Sequence, residues 1–133
     1  MINNAIVRID KAENQSICTM KRDTFEQKKT FINAVQNPDS KVADYINNEI
    51  TIKDVYMEKA FYEDGEDGMT EGVKTILITP EGKGILANSI GIAKSIFALF
   101  DVFGMPDEWE EPITVIVRQI ETNKGRYFKL EVK

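Results

Sequence analysis

The stretch from Ile50 to Tyr62 constrains the fold more than any other part of the chain. Ile50 and Ile52 lie on one face of an extended segment, and Val55, Met57 and Phe61 lie on the other. Strand side chains alternate with a period of two. An apolar stripe that changes parity near Asp54 therefore requires a bulge or a strong bend. A long strand bent in its middle is what a small barrel asks of its first strand.

The rest of the chain reads around that strand. Upstream, Ala5, Val7 and Ile9 alternate weakly and Ile17 to Met20 form a second short strand. Asp23 or Thr24 then caps a helix whose apolar positions Phe25, Phe31, Ile32 and Val35 run to the stop at Asn37-Pro38. Val42 to Ile46 is a short helical or turn-like piece. Downstream, Val73 to Thr79 is a compact strand, Pro80 to Gly84 a hairpin turn, and Ile85 to Ala87 a short returning strand. Ser89 caps a second helix with Ile92, Ile96, Leu99, Phe100 and Phe103 on one face and Lys94, Ser95, Ala98 and Asp101 away from it. Gly104 and Pro106 end it. Two strands, Ile113 to Ile120 and Arg126 to Val132, close the chain across a glycine-containing loop.

From residue 50 the order is strand, strand, strand, helix, strand, strand. This predicts a mainly β fold with helices: an OB-like five-stranded barrel plugged by the second helix. It occupies residues 49–133. Residues 1–48 are an N-terminal extension of short strands plus a helix, packed on the barrel. A chain of 133 residues, 42% apolar and 29% charged, is of the size and balance of one globular domain.

The residue inventory narrows the chemistry. There is no histidine, so Ser-His-Asp and Cys-His catalysis and zinc sites of the Cys/His type are excluded. The single cysteine, Cys18, forms no disulfide within the chain and reads as a small buried hydrophobe rather than a nucleophile. No apolar run approaches the length of a membrane span and no secretory leader is visible, so a cytoplasmic location is expected. No catalytic residue, metal or cofactor is expected, and a binding module is favoured over an enzyme.

The net charge of −5 is unevenly spread. Glu63, Asp64, Glu66, Asp67 and Glu71 form one acidic group and Asp107, Glu108, Glu110 and Glu111 a second; without these nine the chain carries +4. The last 22 residues hold Arg118, Lys124, Arg126, Lys129 and Lys133 against only Glu121 and Glu131. A basic surface can therefore coexist with a pI near 4.8. The first acidic group lacks EF-hand spacing and reads as a solvated hairpin tip rather than a cation site. The Pro80 to Gly84 turn, for its part, lacks the following helix that a phosphate loop needs.

Basic and aromatic residues interleave on the expected strands. Lys53, Tyr56, Lys59 and Tyr62 lie on the first and Lys74 on the second, with Lys83 at the turn. Arg118 lies on the fourth, and Arg126, Tyr127 and Lys129 follow Lys124 on the fifth. Single-stranded nucleic acid is held by a cationic track for its backbone and by rings that stack on bases. Two other classes compete. One is a protein-interaction module anchored by Trp109 in its acidic loop, with no nucleic-acid binding. The weaker is a metal enzyme built on Glu108, Glu110 and Glu111.

The C-terminal two-thirds also resembles a known family. The matching features are Ile50-Thr51-Ile52-Lys53-Asp54-Val55-Tyr56, the hairpin Thr75-Ile76-Leu77-Ile78-Thr79-Pro80-Glu81-Gly82-Lys83, the helix start Ala87-Asn88-Ser89-Ile90-Gly91-Ile92-Ala93-Lys94-Ser95, and Thr122-Asn123-Lys124-Gly125-Arg126-Tyr127-Phe128-Lys129-Leu130. Residues 45–133 resemble the single-stranded DNA-binding proteins of small tailed phages that replicate linear genomes from a protein primer. The resemblance implies a non-enzymatic protein that coats and protects displaced single-stranded DNA, without sequence specificity, in the host cytoplasm. It would meet replication proteins such as the polymerase and act as a monomer or through weak self-association along the strand. Tyr56, Lys124, Arg126 and Lys129 match at the level of motif, and their contact role is what the resemblance implies.

Overall fold

The computed structural model describes residues 16–63 and 69–133. In chain order they form β1 (Ser16–Cys18), α1 (Phe25–Gln36), β2 (Ser40–Lys41), a 3-10 turn (Val42–Tyr45), β3 (Glu49–Ile52), β4 (Asp54–Glu63), β5 (Met69–Ile78), β6 (Gly84–Ala87), α2 (Ile90–Phe103), a second 3-10 turn (Pro106–Glu108), β7 (Ile113–Thr122) and β8 (Gly125–Val132). The alternation expected at Ala5, Val7 and Ile9 and the acidic tip from Asp64 to Gly68 lie outside the described residues.

The parity change in the long strand is a handover between sheets. β3 belongs to a three-stranded antiparallel sheet of order β3-β7-β8, and β4 to a five-stranded sheet of order β1-β4-β5-β6-β2. Only Lys53 separates them, and its backbone N–H donates to the Ile78 carbonyl at 2.8 Å, so the chain turns without losing its ladder. The extra residue lets Ile50 and Ile52 face the core from one sheet and Val55 and Met57 face it from the other, all four buried. Val73, Leu77, Val115, Val117 and Leu130 complete the strand side of that core, and α2 supplies Ile92, Ile96 and Phe100.

The result is two sheets rather than the closed five-stranded barrel read from the sequence. With β3 and β4 joining the sheets at one end, closure would require β6 to pair with β8. Instead, β2 pairs in parallel with the free edge of β6 (Ser40 opposite Ile85, Lys41 opposite Leu86). The edge of β8 is met by α2: the Leu130 N–H donates to the Ser95 hydroxyl at 3.0 Å. A side chain on Gly91 would overlap the Phe128 carbonyl oxygen, so the helix can lie this close only with glycine there.

Both helices start where capping chemistry directs. Thr24 and Gln27 form a reciprocal capping box on α1 (3.1 and 3.0 Å), and Ser89 accepts from the Gly91 N–H on α2 at 3.2 Å. Gly104 ends α2 with a φ of 83°. The apolar faces differ from expectation. On α2 the buried residues include Ala93 and Phe97, whereas Phe103 is exposed because the last turn overhangs the core, and Ser95 is half-buried against β8. On α1, Ala34 and Val35 are buried and Phe25 and Ile32 are exposed. α1 lies on the outer face of the larger sheet over Ile76 and Ile78, with Tyr56 and Leu86 at the margin. Strand β5 begins at Met69, earlier than the Val73 expected, and the β7–β8 connection shrinks to Asn123-Lys124.

Candidate nucleic-acid interface

Among the described residues, the three-stranded sheet has one face without a cover. Alternation fixes its residues: where Ile50, Ile52, Val115, Val117 and Leu130 point inward, Thr51, Thr114, Ile116, Arg118, Ile120, Tyr127, Lys129 and Glu131 point outward. Since α1 packs on the other sheet and α2 on the core side of β8, neither described helix covers this face. Ile120 stands directly opposite Tyr127, and Arg118 opposite Lys129, so an aromatic–aliphatic pair adjoins a pair of cations. Tyr127 is 43% exposed, half anchored and half offered to solvent.

Electrostatics on this face are graded. Arg118 is fixed by Glu131 (Nε to Oε2, 2.7 Å) and by the side-chain carbonyl of Asn47 at 3.0 Å. Asn47 reaches it from a left-handed backbone position, φ 66°, that asparagine tolerates better than most residues. Lys129, and Lys124 at the hairpin tip, have no ion-pair partner among the described residues. Lys133 is engaged by Glu49. Thr51 and Thr114 bond to each other through their hydroxyls at 2.9 Å.

The eleven residues singled out from the sequence do not form one surface, and Lys83 stands apart, exposed in the turn between β5 and β6. Arg118, Tyr127 and Lys129 come together on the open face, with Lys124 at its end. Arg126 alternates to the opposite side of the hairpin, where it pairs with Glu121 at 3.0 Å. Lys53 is exposed at the junction of the two sheets. Tyr56 lies on the outer face of the larger sheet at the margin of α1, its ring edge-on to Phe31 at 5.8 Å and its hydroxyl donating to Glu58 at 2.8 Å. Burial first, then the bond to Glu58 and its charge, push the Tyr56 hydroxyl up to about 12. Lys74 is bound to the same Glu58 at 3.7 Å. Lys59 alternates to the face of β4 opposite Tyr56. The backbone of Tyr62 pairs with Thr70, and its side chain lies outside the described ones.

Two groups escaped the sequence reading. Ile116 and Ile120 are apolar residues on the outward face of β7, and their signal is the break in alternation at the consecutive apolar residues Val115, Ile116 and Val117. Lys21, Arg22 and Lys28 form a basic hollow ahead of α1, with the Arg22 guanidinium over the Phe31 ring at 4.9 Å. The adjacent Lys21-Arg22 pair before a helix cap was its only sequence signal. Trp109 is half-buried, and its indole N–H donates to the Gly104 carbonyl at 2.8 Å, closing the end of α2. Among the described residues no three Cys, Asp or Glu side chains converge as metal ligands, and no helix is long and apolar enough to cross a membrane.

Comparison of the chain with protein-family models, with curated proteins and with solved structures returned no match.

Proposed function

We propose that this protein binds single-stranded nucleic acid across the open face of the three-stranded sheet, without sequence specificity. The observation that carries the reading is the half-exposed Tyr127 ring beside Ile120, Arg118 and Lys129 on a sheet face that no described element covers. A ring fixed at one end stacks on any base, and the flanking cations take the phosphates. The connectivity supports an OB-like reading of the fold, with β3 and β4 as one bent strand paired to β7 by its first half and to β5 by its second. The family resemblance extends the proposal to the coating of displaced single-stranded DNA during phage replication. It is a binding role and not catalysis.

The test is quenching of intrinsic tyrosine emission by an oligothymidine, with duplex of equal length alongside. Tyr127→Ala is expected to weaken binding about tenfold, within the ~1–3 kcal/mol that a stacked base contributes. Tyr56→Phe is expected to leave binding unchanged. Undiminished binding by a folded Tyr127→Ala variant would remove this face from consideration. Absence of any binding at low salt would dismiss the function itself.

A further inference from the structure

We propose that a groove at the C-terminal end of α2 docks a second protein through a lysine- or arginine-rich segment carrying apolar anchor residues. The groove, about 820 Å³, runs between the last turn of α2, the loop that follows it and the strand ends at Ile113 and Val132. Its walls are Val102, Phe103, Trp109, Pro112 and Val132. Val102 is 77% and Phe103 46% exposed, large apolar side chains that a free helix end has no folding reason to display.

The rim sets the sign of the occupant. Glu108, Glu110 and Glu111 line the groove and Asp107 adjoins them, and none has an ion-pair partner among the described residues. Among the described residues the one cation lining the groove, Lys133, is engaged by Glu49. An uncompensated acidic rim repels phosphates, which excludes the nucleic acid proposed for the open sheet face. Small-molecule sites enclose most of their ligand, whereas this groove lies open along Val102. An apolar floor beneath a negative rim matches an amphipathic, cationic protein segment.

Trp109 is the only tryptophan in the chain and lines the groove, so its emission reports occupancy directly. The probe is a short amphipathic Leu–Lys peptide, with a Leu–Glu peptide of the same spacing and an all-Lys peptide as comparisons. The Leu–Lys peptide is expected to shift Trp109 emission saturably. Val102→Glu and the double variant Glu110→Lys/Glu111→Lys, all at exposed positions, are each expected to weaken it at least about tenfold. Tyrosine quenching by oligothymidine should be unchanged in both variants. No shift, an equal shift by the Leu–Glu peptide, or full affinity in the variants would overturn the proposal. Equal affinity for the all-Lys peptide would overturn the apolar anchor, and a Trp109 response to oligothymidine alone would give the groove to nucleic acid.

Discussion

Thr75 is fully buried in the middle of β5, and its hydroxyl has no hydrogen-bond partner among the described residues. A hidden hydroxyl without a partner forfeits its hydration and gains nothing in return. Thr75→Val keeps the branched shape and removes that polar atom. It is expected to raise stability by about 1 kcal/mol, read as a higher urea midpoint at unchanged slope. Tyr56 gives a second expectation, in pH. Its hydroxyl is held up to about 12, and an unfolded tyrosine titrates near 10. The fold favours the neutral form, so this stability is fully present below pH ~10 and is lost as pH rises toward ~12. Urea midpoints across that window should fall more steeply for the native chain than for Tyr56→Phe. Neither residue announced its state in the sequence. A tyrosine on a strand is compatible with either face, so the sequence suits Tyr56 to an open stacking ring as well as to a covered one, and only the placement of α1 decides between them.

At the scale of elements, the legible parts were those set by neighbours in the chain. Thr24, Ser89 and Gly104 mark helix ends through local hydrogen bonds and a left-handed glycine. The parity change after Ile52 likewise marked the handover at Lys53. The division into two sheets was not legible, because Ser40 and Lys41 read as loop and only their closeness in space to Ile85 and Leu86 makes them a strand. The candidate site divided for the same reason. Arg126 and Tyr127 are adjacent in sequence and so point to opposite sides of β8, an alternation the interleaved reading passed over. Gly91 tests the helix–strand seam. Gly91→Ala drives a methyl group into the Phe128 carbonyl, and a loss of more than about 2 kcal/mol is expected. Ala98→Gly, on the exposed side of α2, is the comparison, with the roughly 1 kcal/mol of an ordinary helix substitution. A thermal melt of the two separates close packing from propensity.

For the whole molecule, a net charge of −5 says less than where the charge lies. The open sheet face carries Arg118, Lys124 and Lys129, while the acidic loop from Asp107 to Glu111 adjoins the far end of α2. If those three cations each meet a phosphate, the logarithm of oligothymidine affinity should fall against the logarithm of salt with a slope of about −2. Lys129→Ala should make it shallower by about 0.7; an unchanged slope would show that Lys129 meets no phosphate. The meeting of α2 with β8 bears on behaviour at high concentration. A strand at the border of a sheet is a template on which other chains can add, and growth of that kind ends in fibres. Here the Ser95 hydroxyl holds the N–H of Leu130 and the backbone at Gly91 crowds the carbonyl of Phe128. The middle of that border is shut to an incoming strand, so the protein can be concentrated without β8 seeding its own polymerisation.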